Sequence, residues 1–208
     1  MHTHTKTIAF INGKGGTGKS TTCVLVAAAL ATVGREVQVL DLDTTQRTAT
    51  SWLDSSGLGH MVANGHFSTG EVRLIDTPPR LDSTLFQKAA SMASIIILVT
   101  SPSPADLVTT QQTILALNLI AEATGATPTV RLLYNNVQQG TSLSQDLPLR
   151  AREIGAEPLL QFIRRRQAYQ HSIIMGWKKL PAVAREEVLA VALEIATLPE
   201  KMLARRKP

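Results

Sequence analysis

The sequence predicts an α/β fold: a mostly parallel, twisted sheet with helices on both faces, in a single domain over residues 1–208. Three observations carry that prediction. Short runs of Val, Ile and Leu recur along the chain, and stretches of helical periodicity separate them, the pattern of βαβ units. Aromatic residues supply only 4 % of a composition that is 44 % hydrophobic, so the core must be aliphatic, as in sheets covered on both sides. No repeat, heptad pattern or low-complexity linker divides the 208 residues, and one core suffices.

The elements follow in order. Residues 1–5 are polar and expected to be frayed. "KTIAFIN", from Lys6, reads as a buried strand, and "GKSTTCVLVAAALATVG" as a helix closed by Gly34. "EVQVLDLD" is a second strand, followed by a helix through Trp52. Ser55 to Gly70 is glycine-rich and weakly periodic, a loop or a short strand excursion. "EVRLIDTPP" is a third strand stopped at Pro78, and "SIIILVT" a fourth, barred from extension by Pro102 and Pro104. "ADLVTTQQTILALNLIAEATG" is a helix ending at Gly125, and "TPTVRLLYNN" a fifth strand. A helix over about 142–154 follows, then "EPLLQFI" as a sixth strand, then further helices. Right-handed crossovers would set the ligand loops at the C-terminal edge of the sheet.

Composition narrows the function classes. The only cysteine, Cys23, rules out an internal disulfide and fits a reducing compartment. No basic leader precedes an apolar run, and the apolar runs are too short to span a bilayer, so a soluble, cytoplasmic protein is expected. The net charge is +5, and from Ile163 onward ten Lys or Arg face four Glu. Such an excess suits a nucleic-acid surface or is simply a solvated basic face. Arg164, Arg165, Lys178 and Lys179 are the candidates for a sequence-blind DNA contact.

"GKGGTGKS", from Gly13 to Ser20, matches the G-x-x-x-x-G-K-[ST] phosphate loop, with a strand before it and a helix after. The expected fold is therefore that of P-loop NTPases, with ATP and Mg²⁺ as ligands. Gly13, Gly15, Gly16 and Gly18 let backbone N–H groups of the loop, through Thr17 and on to Thr21, turn toward a polyphosphate at a helix N-terminus. Lys19 would reach the β- and γ-phosphates, and the Ser20 hydroxyl would ligate Mg²⁺.

Lys14 is a second lysine that an ordinary loop does not need. "KGGTGKS" resembles the deviant loop of the ParA/MinD ATPases. The resemblance implies that Lys14 reaches across a homodimer to the phosphates of the partner's ATP; the plainer alternative is a loop cation near its own nucleotide. "VLDLDTTQ" resembles the family's second motif, with Thr44 and Thr45 where relatives carry a proline and its neighbour. By resemblance Asp43 positions the attacking water and Asp41 supports the Mg²⁺ and Ser20 shell, although Asp43 also suits a helix cap. "VRLIDTPP" resembles the Walker B segment, implying that Asp76 holds Mg²⁺ through water and that Thr77 to Arg80 sense the γ-phosphate. In "PSPAD" the prolines stop a strand, and Ser103 or Asp106 starts a helix. "LLYNN" ends where relatives contact adenine, so Asn135 or Asn136 is a candidate amide, or the pair serves a turn.

Ile163, Arg166, Gln167, Tyr169 and Gly176 resemble a C-terminal run of the short, ParF-like plasmid partition proteins. The resemblance covers nearly the whole chain. It implies a Mg-ATPase, slow alone, that sandwiches ATP in a homodimer and binds nonspecific DNA of the nucleoid. A small ParB- or ParG-like centromere-binding protein would stimulate hydrolysis. With the loop starting at Gly13, no N-terminal helix-turn-helix domain is expected, and Pro199 interrupts the final apolar stripe, so no membrane partner is expected. Val188 to Leu198 reads as core packing. The alternative function is positioning of a protein cargo, such as a chemotaxis, carboxysome, cellulose synthase or conjugation complex. A metabolic ligase on this fold lacks a recognisable substrate pocket here.

Overall fold

Each aliphatic run finds a helix on either side of it, which is why the strands are apolar on both faces. The computed structural model describes residues 5–67, 71–81 and 83–200. Nearly all of the start expected to fray, and the whole of the basic "KMLARRKP" end, lie outside the described residues. The strands are β1 (Lys6–Ile11), β2 (Val37–Asp41), β3 (Val72–Asp76), β4 (Ile95–Thr100) and β5 (Thr129–Tyr134), all parallel in the order β2-β3-β1-β4-β5. The helices are α1 (Lys19–Thr32), α2 (Thr48–Ser55), α3 (Thr84–Met92), α4 (Pro104–Thr124), α5 (Leu147–Glu153), α6 (Gln167–Met175) and α7 (Ala182–Thr197).

The period-two alternation of strands divides the core into two layers. Ile8 and Phe10 of β1 pack with α1, α2, α6 and α7, while Ala9 and Ile11 pack with α3, α4 and α5. All six residues of β4 are buried. Helix α1 is buried nearly all round, from Lys19 through Leu30, because α7 covers it from outside the sheet. As expected of core, Val188, Val191, Ala192 and Ile195 of α7 are fully buried. Lys6 tethers the end of that helix, its Nζ donating to the carbonyls of Ala196 at 2.6 Å and Leu198 at 2.9 Å. Among the described residues no helix is long and apolar enough to cross a membrane.

Three segments differ from the sequence reading. The predicted sixth strand is two isolated parallel bridges, Leu132–Pro158 and Val137–Arg164. Pro158 has no N–H to give; Leu159 and Ile163 donate to the Leu132 and Tyr134 carbonyls of β5, but between them the N–H groups of Leu160 and Gln161 turn to the Glu194 carboxylate at 2.7 and 2.9 Å and break the ladder. The helix predicted over 142–154 is a 3₁₀ turn, Ser142–Ser144, and α5, separated by Asp146 at φ 52°. Helix α3 went unpredicted; Ser83 starts it by accepting from the Phe86 N–H at 3.1 Å. Within Ser55 to Gly70, Val62 makes one parallel bridge to Val39 on the outer edge of β2; residues 68–70 are outside the described set.

Strand β1 lies between β3 and β4, so the chain changes direction along the sheet there. Ligands of open α/β sheets sit in the crevice at that point, beyond the C-terminal strand ends. The parallel register pairs Asp76 with both Phe10 and Asp41, which brings two carboxylates to that edge beside the loop leaving β1.

Candidate functional site

The loop from Gly13 to Gly18 turns into α1 through two left-handed glycines, Gly16 at φ 79° and Gly18 at φ 91°. A side chain at Gly18 is excluded twice over: an added Cβ would lie 2.2 Å from Nδ2 of Asn135. The loop is fixed from outside by α4. Asn12 donates to the Val99 carbonyl at 2.9 Å and to Thr110 Oγ1 at 3.0 Å, while accepting from the Lys14 N–H at 2.9 Å. The Gly13 N–H donates to Thr113 Oγ1 at 3.1 Å. Asp106, Thr110 and Thr113 thus present one polar stripe of α4 to the loop. Sequence reasoning missed this role, because Thr109, Gln111, Gln112 and Asn118 of the same helix are equally polar and hide the stripe.

The two lysines separate. Lys19 is buried, and its Nζ donates to the Lys14 carbonyl at 3.0 Å. Burial lowers its pKa, while Asp76 and Asp43 favour the charged form. Lys14 leaves the loop and pairs with the Asp106 carboxylate, which also accepts from Ser101 Oγ at 2.6 Å. Its ammonium is therefore held by the first turn of α4. Ser103 caps that turn, accepting from the Asp106 N–H at 3.3 Å.

The three aspartates have distinct surroundings. Asp76 is fully buried, and among the described residues neither carboxylate oxygen has a partner in hydrogen-bond geometry. Burial pushes its pKa up to about 7; the nearby Ser20 hydroxyl and Lys19 pull it down, and Asp41 and Asp43 push it further up. An orphaned buried carboxylate next to a phosphate-loop serine is what a hydrated Mg²⁺ requires, so the residues fit that ion. Asp41 is committed elsewhere, accepting from the N–H groups of Asp43 and Thr50, each at 3.0 Å, and from Thr50 Oγ1 at 3.1 Å. Its carboxylate shapes the loop before α2 and flanks Asp76.

Asp43 is buried, and its Oδ1 accepts from the N–H groups of Thr45 at 3.3 Å and Gln46 at 3.0 Å. Arg47 donates its N–H to the Asp43 carbonyl at 2.8 Å, so the turn closes without the proline of related motifs. Asp43, Gln46, Thr48, Thr77 and Pro79 face the loop glycines across a cleft of about 240 Å³. Gly13 lies against Leu81, whose side chain an added Cβ would meet at 2.6 Å, so the segment after β3 rests on the phosphate loop.

A second cleft of about 240 Å³ opens on the other side of Gly16 and Gly18, between Asn135, Asn136, Ile163, Arg164 and Tyr169. Asn135 Nδ2 donates to the Thr17 carbonyl at 2.8 Å, which anchors the loop and leaves the amide oxygen as the acceptor for a base. Asn136 is exposed at φ 58°, a turn conformation. Of the four basic candidates, Arg165, Lys178 and Lys179 are exposed, whereas Arg164 is pinned to the buried carboxylate of Glu187. That carboxylate also receives Arg166 and Tyr169. Nothing in the sequence distinguishes Glu187 from its neighbours on a solvated helix face.

The site and sheet order define the fold as that of P-loop NTPases. A family model described as "ATPase MipZ" matches residues 6–59, the phosphate loop through α2. The chain is 29 % identical over 186 residues to "Maintenance of carboxysome distribution protein A" of Gloeobacter kilaueensis, covering 82 % of each chain. Among solved structures it superposes on apo McdA of Cyanthece with a TM-score of 0.76 at 14 % identity, covering 93 % of this chain and 100 % of that one. A putative plasmid partition protein of Borrelia burgdorferi bound to AMPPNP gives 0.67 at 16 % identity, covering 91 % and 99 %. The chain is thus similar to proteins named for carboxysome distribution and for plasmid partition.

Proposed function

We propose that this protein is a Mg-ATP-dependent switch that dimerises around ATP, binds DNA without sequence preference in that state, and is released by hydrolysis. The observation that carries the reading is the pair of lysines: one buried in the phosphate loop, the other leaving it toward a surface where a second subunit can take it up. Lys19 and the N–H groups of Gly15 to Thr21 bind and orient the polyphosphate, while those of Gly13 and Lys14 are spent on Thr113 and Asn12. Mg²⁺ beside Ser20 and Asp76, with Asp41 in support, supplies charge neutralisation when bound. Asp43 borders the cleft where water meets the γ-phosphate and would orient it, while Asn135 offers an acceptor to the adenine amino group. Lys14, from the partner, adds positive charge at the phosphates, which makes ATP binding and dimerisation one event.

The cargo we assign is replicon DNA, carried by a small centromere-binding protein of the ParB or ParG kind that stimulates hydrolysis, with the dimer on the nucleoid. The carboxysome-distribution relative, similar over most of both chains, favours a second reading in which the cargo is a protein complex and the chemistry is unchanged. The decisive experiment is binding to random-sequence duplex DNA at moderate salt with Mg-ATP, Mg-ADP or no nucleotide. Binding with ATP alone is expected. Absence of binding in every state would remove DNA as the surface this switch uses. A neighbouring gene for a small DNA-binding protein, against one for a cargo subunit, separates the two cargoes.

A further inference from the structure

The wall behind the base cleft is also the wall of another groove. Gln138, Arg165, Arg166, Gln167 and Gln170 line a polar groove of about 410 Å³, and Arg166 and Gln170 border the base cleft as well. Two guanidinium groups and three primary amides, with no carboxylate in the lining, suit an anionic chain with hydrogen-bonding edges, such as a phosphodiester backbone. The groove contains Gln167, the first residue of α6, whose N-terminus has no side-chain cap. Arg166 Nε is buried without a hydrogen-bond partner among the described residues, while the other end of its guanidinium is held by Glu187.

One side chain ties the two clefts together. Glu187 Oε1 accepts from the Arg164 N–H and from Tyr169 Oη, both at 2.8 Å. Its Oε2 accepts from Arg164 Nη1 at 2.5 Å and Arg166 Nη2 at 3.1 Å. The Glu187 side chain is 5 % exposed, whereas those of Arg164 and Arg166 are 38 % and 28 % exposed. A buried carboxylate with four donors is saturated, so a ligand that draws one arginine toward itself must redistribute the others.

We propose that Glu187 is a positioning residue through which filling of the base cleft resets Arg166 in the polar groove, so that nucleotide occupancy governs the groove's hold on a phosphodiester backbone. The proposal rests on the nucleotide reading of the base cleft given above. Because coupling between sites is reciprocal, DNA in the groove also tightens nucleotide binding. Glu187 touches neither ligand; it acts through Arg164, Arg166 and Tyr169.

The test uses the full chain, random-sequence duplex DNA and saturating Mg-ATPγS, so that a change in nucleotide affinity does not enter. Wild type is expected to gain about tenfold or more in DNA affinity with nucleotide, within the usual range of coupling. Glu187→Gln keeps the shape but loses the charge, and Arg166→Gln leaves Arg164 and Tyr169 on the carboxylate. Both variants should lose most of that gain, and the second decides the matter if the first does not fold. A nucleotide gain of wild-type size in the variants, or none in wild type that binds DNA, overturns the coupling. If wild type binds no duplex at all, the DNA reading falls by itself, and hydrogen exchange then decides. Mg-ATPγS must alter protection of the amides of Gln138 and residues 165–167 in wild type but not in the variants. No change in wild type, or an equal change in the variants, overturns the proposal.

Discussion

The ammonium of Lys14 and the carboxylate of Asp106 form an ion pair between residues ninety-two positions apart, joining the phosphate loop to the first turn of α4. Burial opposes the charge on Asp106, yet hydrogen bonds from Lys14, Ser101 and Ser103 hold its carboxyl below the usual range. The lysine side chain is 42 % exposed, so the pair contributes no more than about 1 kcal/mol to folding. In the dimer proposed above, the same ammonium would have to leave Asp106 to reach a partner's phosphates. Lys14→Ala should abolish ATP-dependent dimerisation or hydrolysis while shifting stability by under about 1 kcal/mol. Asp106→Asn should lower the ATP concentration at which dimers form. Light scattering and phosphate release read both, and a Lys14→Ala protein that dimerises and turns over normally would refute the role given to this lysine.

Asp76 makes the ligand-free protein sensitive to pH. Its pKa is raised from 3.8 to about 7, so between those values the native chain holds a proton that the unfolded chain has released. Stability from this group is therefore present below the lower value and is lost as pH rises toward the upper one. At about 1.4 kcal/mol per pH unit across that interval, the loss by pH 8 reaches roughly 4 kcal/mol. Asp76→Asn should remove that slope and melt roughly 8–16 °C higher than wild type at pH 8 without ligand. Mg-ATP should stabilise wild type but not the variant. An unchanged pH slope in Asp76→Asn would assign the dependence to other groups.

Both the sheet and the phosphate loop were legible because each is written locally. Buried parallel strands read as unbroken aliphatic runs, and Gly16 and Gly18 stand where only glycine fits. What stayed hidden depends on distant partners. Thr110 and Thr113 look like ordinary helix residues until Asn12 and Gly13 arrive beside them. Glu187 looks solvated until Arg164, Arg166 and Tyr169 fold over it. The predicted sixth strand failed for the same reason: its composition suits a strand, but Glu194 draws the N–H groups of Leu160 and Gln161 and interrupts the ladder between Leu159 and Ile163.

Asp43 combines two roles that one substitution can separate. Its Oδ1 closes the turn before α2 through Thr45 and Gln46, and its carboxylate borders the phosphate cleft. Asparagine keeps an acceptor for the turn but removes the negative charge that would orient water. Asp43→Asn should therefore fold within about 0.5 kcal/mol of wild type, bind ATP and remain trapped as the dimer, with hydrolysis reduced about 10²-fold or more. Asp43→Ala should lose the turn bonds as well, costing a further ~1 kcal/mol. Denaturant midpoints and single-turnover phosphate release distinguish the two, and wild-type hydrolysis in Asp43→Asn would leave the residue with a capping role alone.

The basic C-terminal residues divide by what holds them. Arg165, Lys178 and Lys179 are exposed and free to follow a phosphate backbone, whereas Arg164 spends its guanidinium on Glu187 and Gln139. Replacing the three exposed residues together by alanine should weaken duplex binding in the ATP state and lower the salt dependence, each lost phosphate contact removing about 0.9 from the log–log slope. Nucleotide binding should persist. Arg164→Ala behaves differently, because it leaves a buried carboxylate short of a donor and should cost about 1–3 kcal/mol of stability before any effect on DNA. Retention of full DNA affinity and slope in the triple variant would place the DNA surface elsewhere on the molecule. A selective loss there, with stability lost only in Arg164→Ala, would show that this one run of three arginines serves two purposes, one arginine bracing the fold beside another that meets the partner.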